Sequence, residues 1–471
     1  VVDPGGLRSG AAVGAGECRR EAAMTSEAQL LLRGGIVLTM DDEIGDFDKA
    51  DVLIDNGEIV AVGRDLHSAA KVVDCAGKIV IPGFVNSHHH MFQTALRSFW
   101  SDALELDYFL QSRTGEDALF HQYTPEDVYW GEYGGALECL AAGTTTVVDT
   151  SQCSYTPEHT DAALDAIRRA GIRCMFSFSP AFGDHEPAPT YAHPDDIHRL
   201  CGAYDPSDAA GLVRLALGYH VDEDLFQLAK DLELPVFAHV NDVSWGRVLE
   251  QFEAEGLLGP WITYIHCLGL EDTAWKAIRR SGGRVSVSVS AELSLGMGVP
   301  ALQAAVDHQV PVSLGTDTVS TAPADFFSQM RAAFLLQRHT AMDAARRGRP
   351  ETAAPLSTRD ILRIATVGGA RAAHLDHLVG TLTPGKRADI AILNARTLNA
   401  SPVNHAAGAI VQLMDTGNVD TVLVDGRIVK QGGRMLHADI DDVLSHLDRS
   451  AAGLLERAGK DGILLTGCRS Y

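Results

Sequence analysis

An α/β chain, made of a (β/α)8 TIM barrel and a small β-sandwich domain formed from both chain ends, is the fold class predicted by three observations. Eight strand-like runs alternate with helical stretches through the middle of the chain. Helix-free β texture brackets them on both sides, and residues able to bind a metal recur where several central runs stop.

Residues 1–28 are rich in Gly and Ala, show no sustained period and read as a disordered leader, with Met24 a candidate start. From residue 29 to 80, short β runs (Leu30-Leu-Leu32, Gly35 to Thr39, Asp51 to Ile54, Ile59 to Val62) are divided by turn signals such as Asn56-Gly57, which predicts an antiparallel module. The texture returns at Ala388 to Leu393 and Val419 to Val429, where Asp425-Gly426 repeats the hairpin signal. Residues 29–80 plus 381–436 are therefore assigned to one composite domain and 81–380 to the barrel. Residues 437–471 form a helical tail with apolar positions at helical spacing, placed to pack on its own barrel or on a neighbour.

The barrel runs are Gly83 to His88, Thr145 to Asp149, Arg173 to Phe178, Val213 to Tyr219, Pro235 to His239, Ile262 to His266, Arg284 to Val289 and Val310 to Gly315. A long first interval, Phe99 to Tyr123, and the Gly/Pro-rich loops Pro180 to His193 and Leu293 to Pro300 are expected over the catalytic mouth.

Composition excludes several functions. The 471 residues carry 39 Lys and Arg against 62 Asp and Glu, a net charge of −23, which opposes binding to nucleic acid or an anionic membrane. No apolar run reaches the length of a membrane span and no secretory signal is visible, so the chain is expected in the cytoplasm. Its eight cysteines form no Cys-x-x-Cys pair, so any metal must be held by His and carboxylate.

The first barrel run ends Asn86-Ser-His-His-His90. Alternation along a strand lets His88 and His90 face the axis while His89 turns away, although three adjacent histidines also suit a polar turn. The fifth run ends at His239, the sixth at His266 and the eighth at Asp317; each is open to a structural reading singly, but their convergence on one mouth points to a metal site. Three imidazoles and a carboxylate suit one divalent ion, zinc first, with iron or manganese as alternatives. The fourth run has no Lys, Cys or Glu to bridge a second ion.

These residues, with Pro82-Gly-Phe-Val-Asn-Ser-His-His-His90, Ser313-Leu-Gly-Thr-Asp317 and Gly380-Thr-Leu-Thr-Pro-Gly-Lys-Arg-Ala-Asp-Ile390, resemble the amidohydrolase superfamily, above all its branch of cytosine, guanine and 8-oxoguanine deaminases and triazine hydrolases. The resemblance spans about Gln29 to Leu436. It implies that His88, His90, His239 and Asp317 hold the metal, that His266 orients its water, and that Asp317 is the general base. The resemblance further implies that bound water would ionise near neutral pH and that the resulting hydroxide would attack a ring carbon of a nitrogen heterocycle, releasing ammonia or an amine.

Where this branch carries His-x-x-Glu, the chain has His239-Val-Asn-Asp242, a carboxyl one methylene shorter. Asp242 is a candidate proton donor or a cap for the helix beginning near Ser244, and Glu292 is a second candidate donor or a surface residue. Gln93 offers an amide to a ring edge or simply starts a helix; Phe92, Trp100 and Met297 offer ring walls or core packing. Arg97 reads either as an anion contact or as a solvated cation. Loss of chloride or thiolate, cyclic-amide hydrolysis and a catalytically silent scaffold are the alternatives. A homo-oligomer acting on a small molecule is expected.

Overall fold

The computed structural model describes residues 29–115, 117–181, 193–204, 211–349 and 354–460. The leader assigned to residues 1–28, and most of the loop Pro180 to His193, lie outside the described residues.

Five strands open the chain: β1 (Gln29–Leu38), β2 (Asp46–Asp55), β3 (Glu58–Gly63), β4 (Lys71–Asp74) and β5 (Lys78–Pro82). Eight more alternate with helices: β6 (Phe84–His89), β7 (Thr144–Ser154), β8 (Arg173–Pro180), β9 (Val213–His220), β10 (Val236–Val240), β11 (Ile262–His266), β12 (Arg284–Val287) and β13 (Val312–Leu314). The last four are β14 (Ile390–Asn394), β15 (Val419–Val424), β16 (Arg427–Gln431) and β17 (Arg434–Met435).

Strands β6 to β13 pair in parallel, each with the next in sequence. A parallel bridge between His89 and Asp317 brings the first and last together, so the sheet is a nearly closed (β/α)8 barrel. The strands are buried almost throughout, as a parallel sheet covered by helices requires.

The two chain ends meet in one sheet of nine strands, ordered β17-β16-β15-β14-β5-β1-β2-β3 with β4 also on β1. It is mixed rather than purely antiparallel. The ten-residue β1 is interrupted by an irregularity at Gly35, and its two halves take different parallel partners, Leu30–Arg33 with β4 and Ile36–Val37 with β5. The sheet encloses its own apolar cluster, including Leu30, Val52, Ile59, Ile390 and Leu423. Both hairpin signals form turns through left-handed residues, Asn56-Gly57 and Asp425-Gly426. The turns touch: a Cβ on Gly426 would lie 2.5 Å from Gly57 Cα, so no larger residue fits there.

A buried ion network ties this sheet to the barrel. Arg173 on β8 donates from Nε and Nη2 to the two carboxylate oxygens of Asp389, both at 2.9 Å, and Asp425 receives Arg173 and Arg387. The Arg-Ala-Asp-Ile segment before β14 therefore supplies a counter-charge for the barrel's base.

Helix Pro125–Ala141 begins at a Thr124 capping box with proline in its first turn. The C-terminal helix Ile440–Arg457 packs on it within the same chain: Ser450 Oγ donates to Asp127 Oδ1 at 2.6 Å, and His446 stacks on Trp130 at 3.6 Å. No helix among the described residues is long and apolar enough to cross a membrane.

Candidate active site

Four strand ends deliver the cluster. His88 and His90 come from the end of β6, His239 from β10, His266 from β11, and Asp317 from the turn after β13. Ligand atoms of His88, His90 and His239 lie within 4.8 Å of one another, as do those of His88, His266 and Asp317. His88 Nε2 and His90 Nε2 stand 3.4 and 3.3 Å from Asp317 Oδ1. Close approach of β13 to β6 depends on Gly315, where a Cβ would fall 2.8 Å from His88 Cβ.

Backbone strain accompanies the convergence. His266 and Asp317 adopt φ of 72° and 59°, the left-handed region that non-glycine residues rarely occupy. Asp317 is held there by its N–H to the His88 carbonyl at 3.0 Å and by its own carbonyl, which accepts His90 N–H at 2.9 Å and His89 Nδ1 at 2.6 Å. His89 thus turns out of the cluster into a buried structural bond.

Second partners aim the imidazoles. His90 Nδ1 donates to the Thr150 carbonyl at 3.0 Å and His239 Nδ1 to the Tyr219 carbonyl at 3.3 Å, leaving each Nε2 lone pair toward the centre. His88 Nδ1 meets Thr150 Oγ1 at 3.0 Å, and its buried Nε2 has no hydrogen-bond partner among the described residues, as expected of an atom reserved for an ion.

Electrostatics distinguish three of the four rings. Burial pushes His88 down to about 3 and holds His239 well below the ordinary imidazole range, so both are neutral ligands. Burial also opposes charge on His266, but its hydrogen bond to Glu292 outweighs this and lifts it above the usual value. That bond runs from His266 Nδ1 to Glu292 Oε1 at 2.8 Å, and the same oxygen accepts Ser288 N–H at 2.8 Å. Burial raises the Asp317 carboxyl, yet His88 and His90 outweigh that and keep it well below the carboxylate range. Three imidazole nitrogens and one carboxylate fit a single divalent ion, beside an imidazole whose proton affinity Glu292 raises.

The remaining expected residues separate. Glu292 is fully buried against His266. Asp242 is exposed, and its Oδ1 accepts Ser244 N–H at 2.6 Å across the turn that leads into helix Trp245–Ala254. Gln93 is buried with its amide engaged: Nε2 donates to Tyr108 Oη at 3.1 Å and Oε1 accepts Thr318 Oγ1 at 2.5 Å. Phe92 and Trp100 are fully buried in an aromatic cluster with Tyr108 and Phe120, Phe92 being 6.2 Å from the His90 ring. Met297 lines a neighbouring cavity. Arg97 pairs with Glu138 through two bonds of 2.8 and 2.7 Å.

Two residues escaped the sequence reading. His220, the last residue of β9, pairs in register with His239, and its ring lies 6.0 Å from that of His239 and stacks on Trp245. Its Nδ1 is buried without a partner among the described residues. The signal was the one used for β10 and β11, an apolar run ending in His, cut one residue short. Glu105, half-buried at the start of helix Glu105–Arg113, shares the field of His266 and Asp242; burial raises its carboxyl.

Comparison with known proteins agrees with this construction. The model of the Amidohydrolase family matches residues 79–203 and 220–429. A 5′-deoxyadenosine deaminase of Methanothermobacter thermautotrophicus is 30% identical over 437 residues, covering 88% of this chain and 96% of its own. A 5-methylthioadenosine/S-adenosylhomocysteine deaminase of Syntrophobacter fumaroxidans is 29% identical over 453 residues, covering 90% and 98%. Among solved structures, an adenosine deaminase from Xanthomonas campestris with bound zinc superposes with a TM-score of 0.79 at 22% identity, covering 91% of this chain and 98% of that one. An atrazine chlorohydrolase from Arthrobacter aurescens complexed with zinc gives 0.77 at 24%, covering 90% and 100%. With its nearly closed barrel, a His/His/His/Asp metal site among the described residues and a matching family model, the chain belongs to the amidohydrolase family, in the branch of metal-dependent hydrolases that includes deaminases.

Proposed function

We propose that the protein is a zinc-dependent aminohydrolase that removes the exocyclic amino group of an adenine-type ring borne on a nucleoside. One observation carries the reading: three imidazoles and a carboxylate converge within 4.8 Å groupings beside an imidazole whose proton affinity the Glu292 hydrogen bond raises. The deaminases among its relatives support the choice of ring.

His88, His90, His239 and Asp317 hold the ion, which when bound supplies Lewis acidity and an activated water at neutral pH. Asp317 takes a proton from the attacking water as oxygen adds to the amino-bearing ring carbon. His266, braced by Glu292, orients that water and carries positive charge toward the reacting carbon. The His266–Glu292 pair then passes a proton to the exocyclic nitrogen, the carbon–nitrogen bond breaks, ammonia leaves, and the proton held by Asp317 restores the pair. In this reading Glu292 and not Asp242 serves the proton path, since the Asp242 carboxylate is occupied at the surface by Ser244 N–H. His220 offers its buried Nδ1 to the ring, and Gln93 sets the Tyr108 and Thr318 hydroxyls around it. Phe92 and Trp100 back the pocket wall from the core. The enzyme is further read as a cytoplasmic homo-oligomer; its net charge of −23 supports a small-molecule substrate over nucleic acid.

Elemental analysis of protein purified without chelator, coupled to ammonia release from adenosine, 5′-deoxyadenosine and their 5′-thio derivatives, tests this. About one metal per chain with ammonia from an adenosine is expected. Metal without ammonia from any of them overturns the ring assignment, and absence of metal overturns the enzyme.

A further inference from the structure

Beside the metal cluster lies a cavity of about 580 Å³ for which the reaction above has no use. Its walls are the three loops that continue from the catalytic strands: Asn241 to Val243 after β10, Cys267 to Leu270 after β11, and Met297 to Ala304 beyond Glu292. The volume lies within the roughly 300–1,000 Å³ typical of small-ligand sites. Apolar groups, including Leu270, Trp275, Met297 and Val299, make up most of the lining.

The polar lining is acidic or amide. Asp242 and Asp307 contribute exposed carboxylates, Asn241 and Gln303 contribute amides, and Gln303 Nε2 donates to Asp307 Oδ1 at 2.8 Å; among the described residues no Lys, Arg or His lines the cavity. The side-chain oxygen of Asn241 is buried there without a hydrogen-bond partner among the described residues. The cavity therefore combines an apolar body with hydrogen-bond acceptors and negative charge. A carboxylate or phosphate placed in it would meet like charges, whereas an ammonium would meet two carboxylates. The field continues toward the metal: Asp242 acts on Glu105, which also feels His266.

We propose that this cavity receives a non-reacting arm of the substrate, apolar along its length and ending in an ammonium group. The inference rests on the proposed nucleoside reading for the ring and adds what the ring carries. It sets the specificity of this chain against anionic relatives of the same substrate.

Four ligands test it by titration calorimetry on metal-replete protein: adenosine, and adenosines with a 5′-thioether arm ending in propyl, aminopropyl or carboxyethyl. The aminopropyl compound is expected to bind about tenfold more tightly than the carboxyethyl compound, through attraction of one arm and repulsion of the other by the two carboxylates. Asp307→Lys, which reverses one charge in the wall, should bring that ratio to about one or below. Ala304→Phe, which fills the cavity, should weaken both uncharged and cationic arms and leave adenosine unchanged. Equal binding of the two charged arms, or a ratio unmoved by Asp307→Lys, overturns the proposal. Ammonia release is read separately, so binding without turnover would sink the deaminase reading alone.

If no adenosine binds, the ring assignment fails and hexylammonium and hexanoate make the same comparison without a ring. In Ala304→Cys protein, hexylammonium should protect position 304 from alkylation, read by mass spectrometry of that peptide, and hexanoate should not. Equal protection by both, or by neither, overturns the proposal.

Discussion

His266 and Glu292, one at the end of β11 and the other on the short helix after β12, are joined by a 2.8 Å hydrogen bond between Nδ1 and Oε1, both groups buried. A carboxyl oxygen at one ring nitrogen fixes a proton there and turns the other nitrogen toward the metal cluster. Glu292→Gln keeps the shape and removes the charge. Turnover should fall by about 10²–10³, within the range of acid–base catalysis, and the basic limb of the kcat pH profile should move to lower pH. Loss of rate with an unmoved profile would reduce Glu292 to packing.

Metal content should divide the three adjacent histidines. His88→Ala removes a neutral ligand and should leave the protein without stoichiometric zinc, while His89→Ala, whose ring bonds the Asp317 carbonyl, should retain it. Chelator treatment of the unmodified protein should lower Tm, since a ligand at about 100 times its Kd adds about 2.7 kcal/mol to stability. Zinc lost from His89→Ala would reverse the assignment of inward and outward rings.

Asp242→Asn should change kcat/KM for an uncharged adenosine by no more than about threefold, well under the 10²–10⁴ of a lost proton donor. Its carboxylate bonds Ser244 N–H on an exposed turn, and that contact survives in Asn. A fall of two orders of magnitude would return the proton to Asp242.

Asp149 on β7 accepts Met91 N–H at 3.1 Å just behind His90, in a region where Glu132 is also buried. Burial pushes Asp149 up to about 7 from an ordinary value near 3.8. A folded value above the unfolded one means that the folded state binds the extra proton, so stability is lost as pH rises from about 4 to 7. Asp149→Asn cannot ionise, and its Oδ1 still accepts Met91 N–H. Its Tm should exceed that of the unmodified protein at pH 8 and approach it at pH 5; the opposite order would show that the carboxylate is held ionised.

What could be read from the sequence was what repeats along a strand. Each barrel run ends on the same rim, so His88, His90, His239, His266 and Asp317 could be grouped before any contact was known. The His266–Glu292 bond could not, because it joins a strand end to the short helix after the next strand, and its geometry depends on the left-handed turn at His266. Asp242 follows His239 by three residues and invites the same pocket, yet a local bond to Ser244 N–H turns it outward, a competition that spacing does not reveal. The aromatic residues at Phe92 and Trp100 are as compatible with core as with a ring wall by type alone, and burial places them in the core. The parallel pairs of β1 depend on one long strand being shared by two short ones, which an alternating pattern does not distinguish from a meander.

The composite sheet also has a history in time. Strand β5 takes β14 as its antiparallel neighbour, Pro82 opposite Ile390, so a strand made early must wait for one made after the whole barrel has left the ribosome. Until then its edge is open, and it adjoins the segment that carries His88 and His90. A nascent chain stalled or cleaved before β14 would expose that edge to other copies, where strand addition leads to aggregation. Deletion from the C-terminal side should therefore act first on yield and solubility, before any catalytic residue is removed. The same topology means that both ends of the gene must be translated before the metal-binding strand is anchored.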